Sequence, residues 1–241
     1  MAMSGSDEQR DDDHGHELRS FGRRRGRKLS PRQSRLMSEL LPRLAVDLAQ
    51  PAPADARGLF AVPVEDVWLE IGFGGAEHLL WQATHRERVG LVGCEPFEEG
   101  VVKALAGIEA GGLAGRVRLH ADDARPLLRW LPAASIGRAF VLFPDPWPKK
   151  RHAKRRLVQP SLLADLARVM KPGAELRIGT DIGDYARTVL LAMREVPAFA
   201  WTADRPADWR LRPDDWPSTR YEQKGIREGR RCYYLRFRRT G

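Results

Sequence analysis

Cysteine is scarce: 241 residues hold two, Cys94 and Cys232. Two lone thiols make no disulfide framework, and neither sits in a CxxC pair or beside clustered histidines, so no zinc or other metal site is expected. Cys94 ends an apolar run from Val89 and is expected to be a small buried hydrophobe. Long apolar stretches are lacking as well. None approaches the roughly 18 residues of a membrane span, and the first 30 residues contain no apolar core of a secretory signal. These absences favour a reducing compartment without a membrane partner, and a cytoplasmic location is expected.

What the chain does have is positive charge. Lysine and arginine number 41 against 32 acids, a formal net charge of +9, with 42% hydrophobic and 30% charged residues. A globular chain this basic is suited to a polyanionic partner. The charge is unevenly placed. Residues 1–17 carry Asp7, Glu8, Asp11, Asp12, Asp13 and Glu17, and residues 1–20 are expected to be a disordered acidic tail. From Arg19 to Arg35 there is no acid, and Arg23, Arg24, Arg25, Arg27 and Lys28 form a block that fits a nucleic-acid arm, a sorting signal or a solvated tail. Ser30-Pro31 then opens a helix that turns Leu36, Met37, Leu40 and Leu41 inward until Pro42 ends or kinks it. A proline-bearing connector over residues 50–65 completes an N-terminal region of residues 21–65.

From residue 66 onward strand and helix patterns alternate. Strands are expected at Val67–Ile71, Val89–Cys94, Val117–His120, Ala139–Phe143 and Leu176–Ile178. Helices are expected at Ala76–Thr84, Phe97–Ala106, Ala124–Leu131, Gln159–Met170 and Tyr185–Arg194, with Pro172-Gly173 as the stop before the fifth strand. That alternation describes an α/β fold, a doubly wound and mostly parallel sheet with helices on both faces. Phe199–Trp201 and Cys232–Phe237, read with no helix between them, look like an antiparallel pair at its edge.

The first strand runs into Gly72-Phe73-Gly74-Gly75. Gly72 and Gly74 permit positive φ and close approach of a ligand to backbone, and such turns lie where open parallel sheets bind ligands. Glu70, just before the turn, opposes a pyrophosphate and suits a cationic amino-acid end. Glu95, after the second strand, can accept both hydroxyls of a ribose. After the third strand, Asp122 or Asp123 can accept from an adenine amino group. A ligand with those three parts and no phosphate is S-adenosylmethionine. A nicotinamide enzyme is disfavoured, because Glu77 stands where the last glycine of G-x-G-x-x-G belongs.

After the fourth strand comes Phe143-Pro144-Asp145-Pro146-Trp147-Pro148, whose prolines stiffen the backbone around Asp145 and Trp147. Six basic residues follow within the eight positions from Lys149 to Arg156, a candidate phosphate clamp. This segment resembles the F-P-D-P-W-x-K-x-R-H-x-K-R-R signature of bacterial tRNA (guanine-N7)-methyltransferases. The resemblance extends from about Phe21 to the C-terminus through Leu69–Gly74, Thr180-Asp181 with Tyr185, and Thr219-Arg220-Tyr221-Glu222. It implies a class I methyltransferase fold (a seven-stranded sheet filling residues 66–241), S-adenosylmethionine as donor, and a guanine in the tRNA variable loop as acceptor, the chain acting as a monomer or homodimer. It further implies cofactor contacts at Glu70, Gly72, Gly74, Glu95, Asp123 and Asp145. Substrate contacts fall at Lys149, Asp181, Thr219, Arg220, Tyr221 and Glu222, and an RNA-binding strip at Arg151, His152, Lys154, Arg155 and Arg156. Register favours Asp123 over Asp122 for the adenine without settling it. The acidic extension lies outside the resemblance.

Guanine N7 has an in-plane lone pair and no proton, so no general base is required, and alignment is the work left to the protein. Asp145 is expected to favour the positive charge that develops on the base, and Asp181 to read the N1 and N2 edge. Trp147 and Tyr221 are each suited to stacking on an extruded base or to packing against the protein. Thr219 and Glu222 are suited to polar contacts or to ordering their loop. Two other classes remain open at this point: an RNA-binding protein without catalysis, and a DNA amino-methyltransferase, whose Asp-Pro-Pro-Tyr-like turn is replaced here by Trp147 and the basic run.

Overall fold

A computed structural model describes residues 24–241; the acidic tail and the start of the basic block lie outside the described residues. Seven strands form one sheet in the order β3-β2-β1-β4-β5-β7-β6. They are β1 (Asp66–Ile71), β2 (Val89–Cys94), β3 (Val117–His120), β4 (Ile136–Leu142), β5 (Met170–Thr180), β6 (Phe199–Trp201) and β7 (Tyr233–Arg239). The first five pair in parallel, whereas β7 runs antiparallel to β5 and β6. The doubly wound sheet with an antiparallel edge read from the sequence is therefore the fold.

The N-terminal helix begins where Ser30 caps it, with a reciprocal Ser30–Gln33 capping box and Pro31 at its first position. It comprises α1 (Pro31–Arg35), a wider π turn over Leu36–Leu40, and α2 (Leu41–Leu44). Pro42 does not end the helix. The π turn precedes it, a common way for a helix to absorb a break in its hydrogen-bond ladder. The other helices are α3 (Glu77–His85), α4 (Glu98–Gly111), α5 (Ala124–Trp130), α6 (Pro160–Val169), α7 (Gly183–Arg194), α8 (Ala207–Arg210) and α9 (Arg220–Arg227).

Alternation along the strands divides the core in two. Val67, Leu69, Ile71, Val141 and Ile178 pack with α5, α6 and α7, while Trp68, Leu91, Phe140 and Leu142 pack with α3, α4 and the N-terminal helix. Two expectations need correction. Met170 belongs to β5, which runs through Pro172-Gly173, because the register with β4 slips between Ile136 and Arg138 and admits the extra residues as a bulge. Two helices, α8 and α9, stand between β6 and β7, where none was expected. Helix α9 is nearly all polar and carries no apolar periodicity, but Thr219-x-x-Glu222 is a capping box that marks its start.

Candidate active site at the carboxyl ends of the strands

The loops leaving β1, β2, β3, β4 and β5 surround a cavity of about 670 Å³, and α9 closes it from above. Its wall includes Gly72, Gly74, Glu95, Phe97, Asp123, Asp145, Trp147, Arg155, Asp181 and Tyr221. Parallel strands place such a crevice at their carboxyl ends.

The glycine turn forms the floor. Gly72 and Gly74 sit at φ +72° and +54°, a region costly for any residue with a Cβ. At Gly74 a side chain would also strike Tyr221, whose ring lies 2.8 Å from the place a Cβ would take. Glu95 ties this turn to the next one: its carboxylate accepts from the Gly74 N–H at 2.8 Å and the Phe97 N–H at 2.9 Å. Each oxygen keeps a lone pair free for a ligand hydroxyl. Burial pushes the Glu95 carboxyl up, its two N–H partners pull it down, and Asp145 across the cavity raises it further.

Asp123 reaches the wall after β3, where it caps α5 by accepting from the Arg125 N–H at 2.9 Å and pairs with the Arg125 guanidinium at 3.1 Å. Asp122 is turned outward to Arg24 at 2.5 Å and is absent from the wall. Geometry thus brings Asp123, not its neighbour, to the cavity.

The segment after β4 is held in an unusual conformation. Phe143 and Trp147 both have positive φ, +51° and +42°, and the stiff prolines between them leave the chain few alternatives. Asp145 opens onto the cavity between them. No hydrogen bond or ion pair engages it among the described residues, and the protein mass around the cleft raises its carboxyl by desolvation. The Arg155 guanidinium lies 5.1 Å over the Trp147 ring, and the His152 ring meets its edge at 5.9 Å. Trp147 is therefore half-buried among basic residues at the rim, with part of its surface on the cavity.

Not every expected site residue is at the wall. Glu70 is buried behind it, its carboxylate accepting from His78 Nδ1 at 2.7 Å. Its place on β1 makes it a buttress under the glycine turn. Lys149 is exposed at the start of the 3-10 turn Lys150–Arg155, outside the wall. Arg151 and Lys154 are exposed on that turn, and Arg155 reaches the cavity. Arg156 departs from the strip: only 4% exposed, it ties the segment to α7 through Pro146 O at 3.1 Å, Asp184 at 2.5 Å and the Thr188 hydroxyl. A guanidinium so engaged is a structural pin and not a phosphate contact.

Thr219 and Glu222 are likewise buried. They cap α9 reciprocally, and Glu222 also accepts from the Tyr234 hydroxyl and pairs with Arg212 at 3.2 Å. They order the helix, while Tyr221 carries its exposed face to the cavity. Arg220 stands beside the wall, paired with Glu77 at 3.5 Å. Asp181 is at the wall and accepts from Arg230 Nε at 2.7 Å. Lys224, Glu228 and Arg230 also line the cavity. No sequence motif marked them, since their place follows from α9 folding back over Asp181. Among the described residues no group of three or more metal-ligating side chains converges, and no helix is long and apolar enough to cross a membrane.

The strand order and a glycine turn facing successive carboxylates define a class I methyltransferase architecture, and the solved 16S rRNA methyltransferase KamB shares it: TM-score 0.55 at 18% identity, covering 74% of this chain and 89% of that one. A family model described as "Putative methyltransferase" matches residues 65–235. The chain belongs to the tRNA (guanine-N7)-methyltransferase family: it is 49% identical to the "tRNA (guanine-N(7)-)-methyltransferase" of Nitrobacter hamburgensis, over 91% of this chain and 86% of that one, and 48% identical to the Bradyrhizobium diazoefficiens protein of the same name over all of both.

Proposed function

We propose that this protein transfers the methyl group of S-adenosylmethionine to N7 of a guanine in the variable loop of tRNA, giving 7-methylguanosine. The observation that carries the reading is one cavity that joins the Gly72–Gly74 turn and Glu95 to Asp145 and Asp181, with a basic turn at its rim, in a chain nearly half identical to enzymes named for that reaction.

The residues fit the donor. Glu95 retains acceptor capacity for ribose hydroxyls, Asp123 stands where an adenine amino group can donate, and the bare backbone of Gly72 and Gly74 admits close contact. The donor supplies an electrophilic methyl on a cationic sulfur. Phe97, Ile71 and Ile182 give the cavity apolar walls that exclude water. Asp145, unengaged and partly desolvated, favours positive charge on the guanine as N7 is alkylated. Asp181, oriented by Arg230, accepts from the base edge. Trp147 and Tyr221 flank the opening that the extruded base enters. Arg151, His152, Lys154 and Arg155 meet the phosphates; Lys149 approaches the RNA from the same turn.

On this reading residues 66–241 are the methyltransferase domain, residues 21–65 an appended basic arm, helix and connector, and residues 1–20 a tail. The protein acts in the cytoplasm as a monomer or homodimer. Incubation with bulk tRNA and labelled donor, followed by nucleoside mass spectrometry, tests the reaction. Labelled 7-methylguanosine is expected. Donor binding without transfer to tRNA would favour a non-catalytic RNA-binding protein.

A further inference from the structure

A second polar cavity of about 500 Å³ lies at the other end of the sheet, lined by Gly137 and Arg138 of β4, Gly173, Glu175 and Arg177 of β5, Thr202, and Arg236 and Arg238 of β7. No helix residue lines it, so this corner of a doubly wound sheet is left uncovered and filled with arginine.

Register explains the pattern. Arg138, Glu175 and Arg238 stand side by side across β4, β5 and β7, and the next row on that face is Phe140, Arg177 and Arg236. Arg138 and Arg177 already share two acids. Glu175 pairs with both, at 3.2 and 2.9 Å, and Asp215 takes Arg177 in a fork of two 2.9 Å bonds and Arg138 at 3.3 Å. Arg236 and Arg238 have no acidic partner among the described residues, and Arg236 Nε is buried without a hydrogen-bond acceptor. Like charges placed opposite each other on neighbouring strands, as Arg177 and Arg236 are, destabilise a sheet. A buried guanidinium N–H without an acceptor adds to that cost. An incoming anion removes both.

We propose that this arginine corner is a second phosphate-binding platform, taking the sugar-phosphate backbone of the tRNA away from the target base. Arg236 and Arg238 alternate on one strand, so their heads project roughly 7 Å apart, a span that two neighbouring phosphates of one strand can occupy. Asp181, just past the end of β5, stands four residue steps beyond Arg177, so the platform lies on the order of 13 Å along the strand direction from the reacting cavity. One RNA molecule can reach both. The planar fork of each guanidinium suits phosphate oxygens, and because Glu175 and Asp215 balance Arg138 and Arg177, the net positive charge of the corner is that of Arg236 and Arg238.

This inference rests on the RNA reading of the reacting cavity. The test compares wild-type protein with Arg236→Gln/Arg238→Gln and Arg236→Lys/Arg238→Lys, full-length tRNA being titrated at several salt concentrations. Calorimetry with S-adenosylmethionine and thermal melting check folding. The glutamine variant is expected to bind tRNA several-fold more weakly, with a plot of log affinity against log salt shallower by roughly 1.5, and with unaltered donor binding. The lysine variant should recover most of the affinity. Unaltered affinity and slope in a folded glutamine variant overturn the platform, as does an equal loss in the lysine variant. Wild-type protein that forms 7-methylguanosine while the variant is unaffected overturns the platform alone. Wild-type protein that neither binds nor methylates tRNA overturns the activity reading and the platform with it.

Discussion

Asp145 stands at the cavity wall with an accessible side chain; the surrounding protein raises its carboxyl by desolvation, and nothing among the described residues engages it. A carboxylate left unpaired at a cleft is available to a reacting cation. Asp145→Asn should therefore lower kcat on the order of 10²-fold, the size of a lost transition-state contact, with tRNA affinity nearly unchanged. Equal losses in both would remove Asp145 from the methyl-transfer step. Between the ordinary carboxylate pKa and the raised one, the folded state holds more protons than the unfolded state, so this group's contribution to stability falls as pH climbs through that window. The asparagine variant should melt no lower than the wild type near neutral pH. Because Asp145 also raises Glu95, the acid limb of kcat/KM should move to lower pH in the variant, which a pH–rate profile would show.

At the scale of elements, α9 and the Phe143–Arg156 segment each depend on buried polar pins that the sequence presented as substrate contacts. The Thr219–Glu222 box holds the helix that places Tyr221 over Gly74. Loss of an N-cap costs about 1 kcal/mol, or roughly 2–4 °C in a protein of this size. Thr219→Ala should show that fall in Tm together with a raised KM for tRNA, and Thr219→Ser should restore both. Arg156 gives the opposite test. It bonds to Pro146, Asp184 and Thr188 instead of facing solvent. Arg156→Ala should destabilise by about 1–3 kcal/mol, the worth of charged hydrogen bonds, and leave the salt dependence of RNA binding as it was; a shallower salt slope at unchanged Tm would return Arg156 to the phosphates. The motif Lys149–Arg156 is one run of like residue types in the sequence, and pattern alone carries no sign of which of them turns inward. Thr219-x-x-Glu222 has the spacing of a capping box, a signal that an expectation of polar contacts or loop ordering leaves unused, and the polar helix it begins offers no apolar period to extend it.

At the scale of the whole molecule, the strands and the five crossover helices were legible because most of the buried strands carry an apolar run and each helix has a start signal, a glycine or proline for most and the Asp123 N-cap for α5. The carboxylates at strand ends were legible for the same reason: Glu95 and Asp123 reach the cavity because they stand one residue past β2 and three past β3. Glu70 stands within β1 and so points away from it, to His78. What stayed hidden depends on side-chain direction or on segments far apart in sequence, such as Arg230 meeting Asp181 or the arginines of β4, β5 and β7 meeting across the sheet. Net charge, in contrast, was legible as a quantity and not as a map. The exposed turn after β4 offers Arg151, Lys154 and Arg155 beside the reacting cavity, so neutralising all three to glutamine should weaken tRNA binding and reduce its salt slope by roughly 2–3. Donor affinity measured without RNA should be nearly unchanged, because Arg151 and Lys154 lie outside the wall and Arg155 reaches it over the Trp147 ring. The decisive readout is the slope: exposed charges act through released counterions, so an affinity loss that is independent of salt would mean that the substitutions had disturbed Trp147 and the strained loop instead of the phosphate contacts.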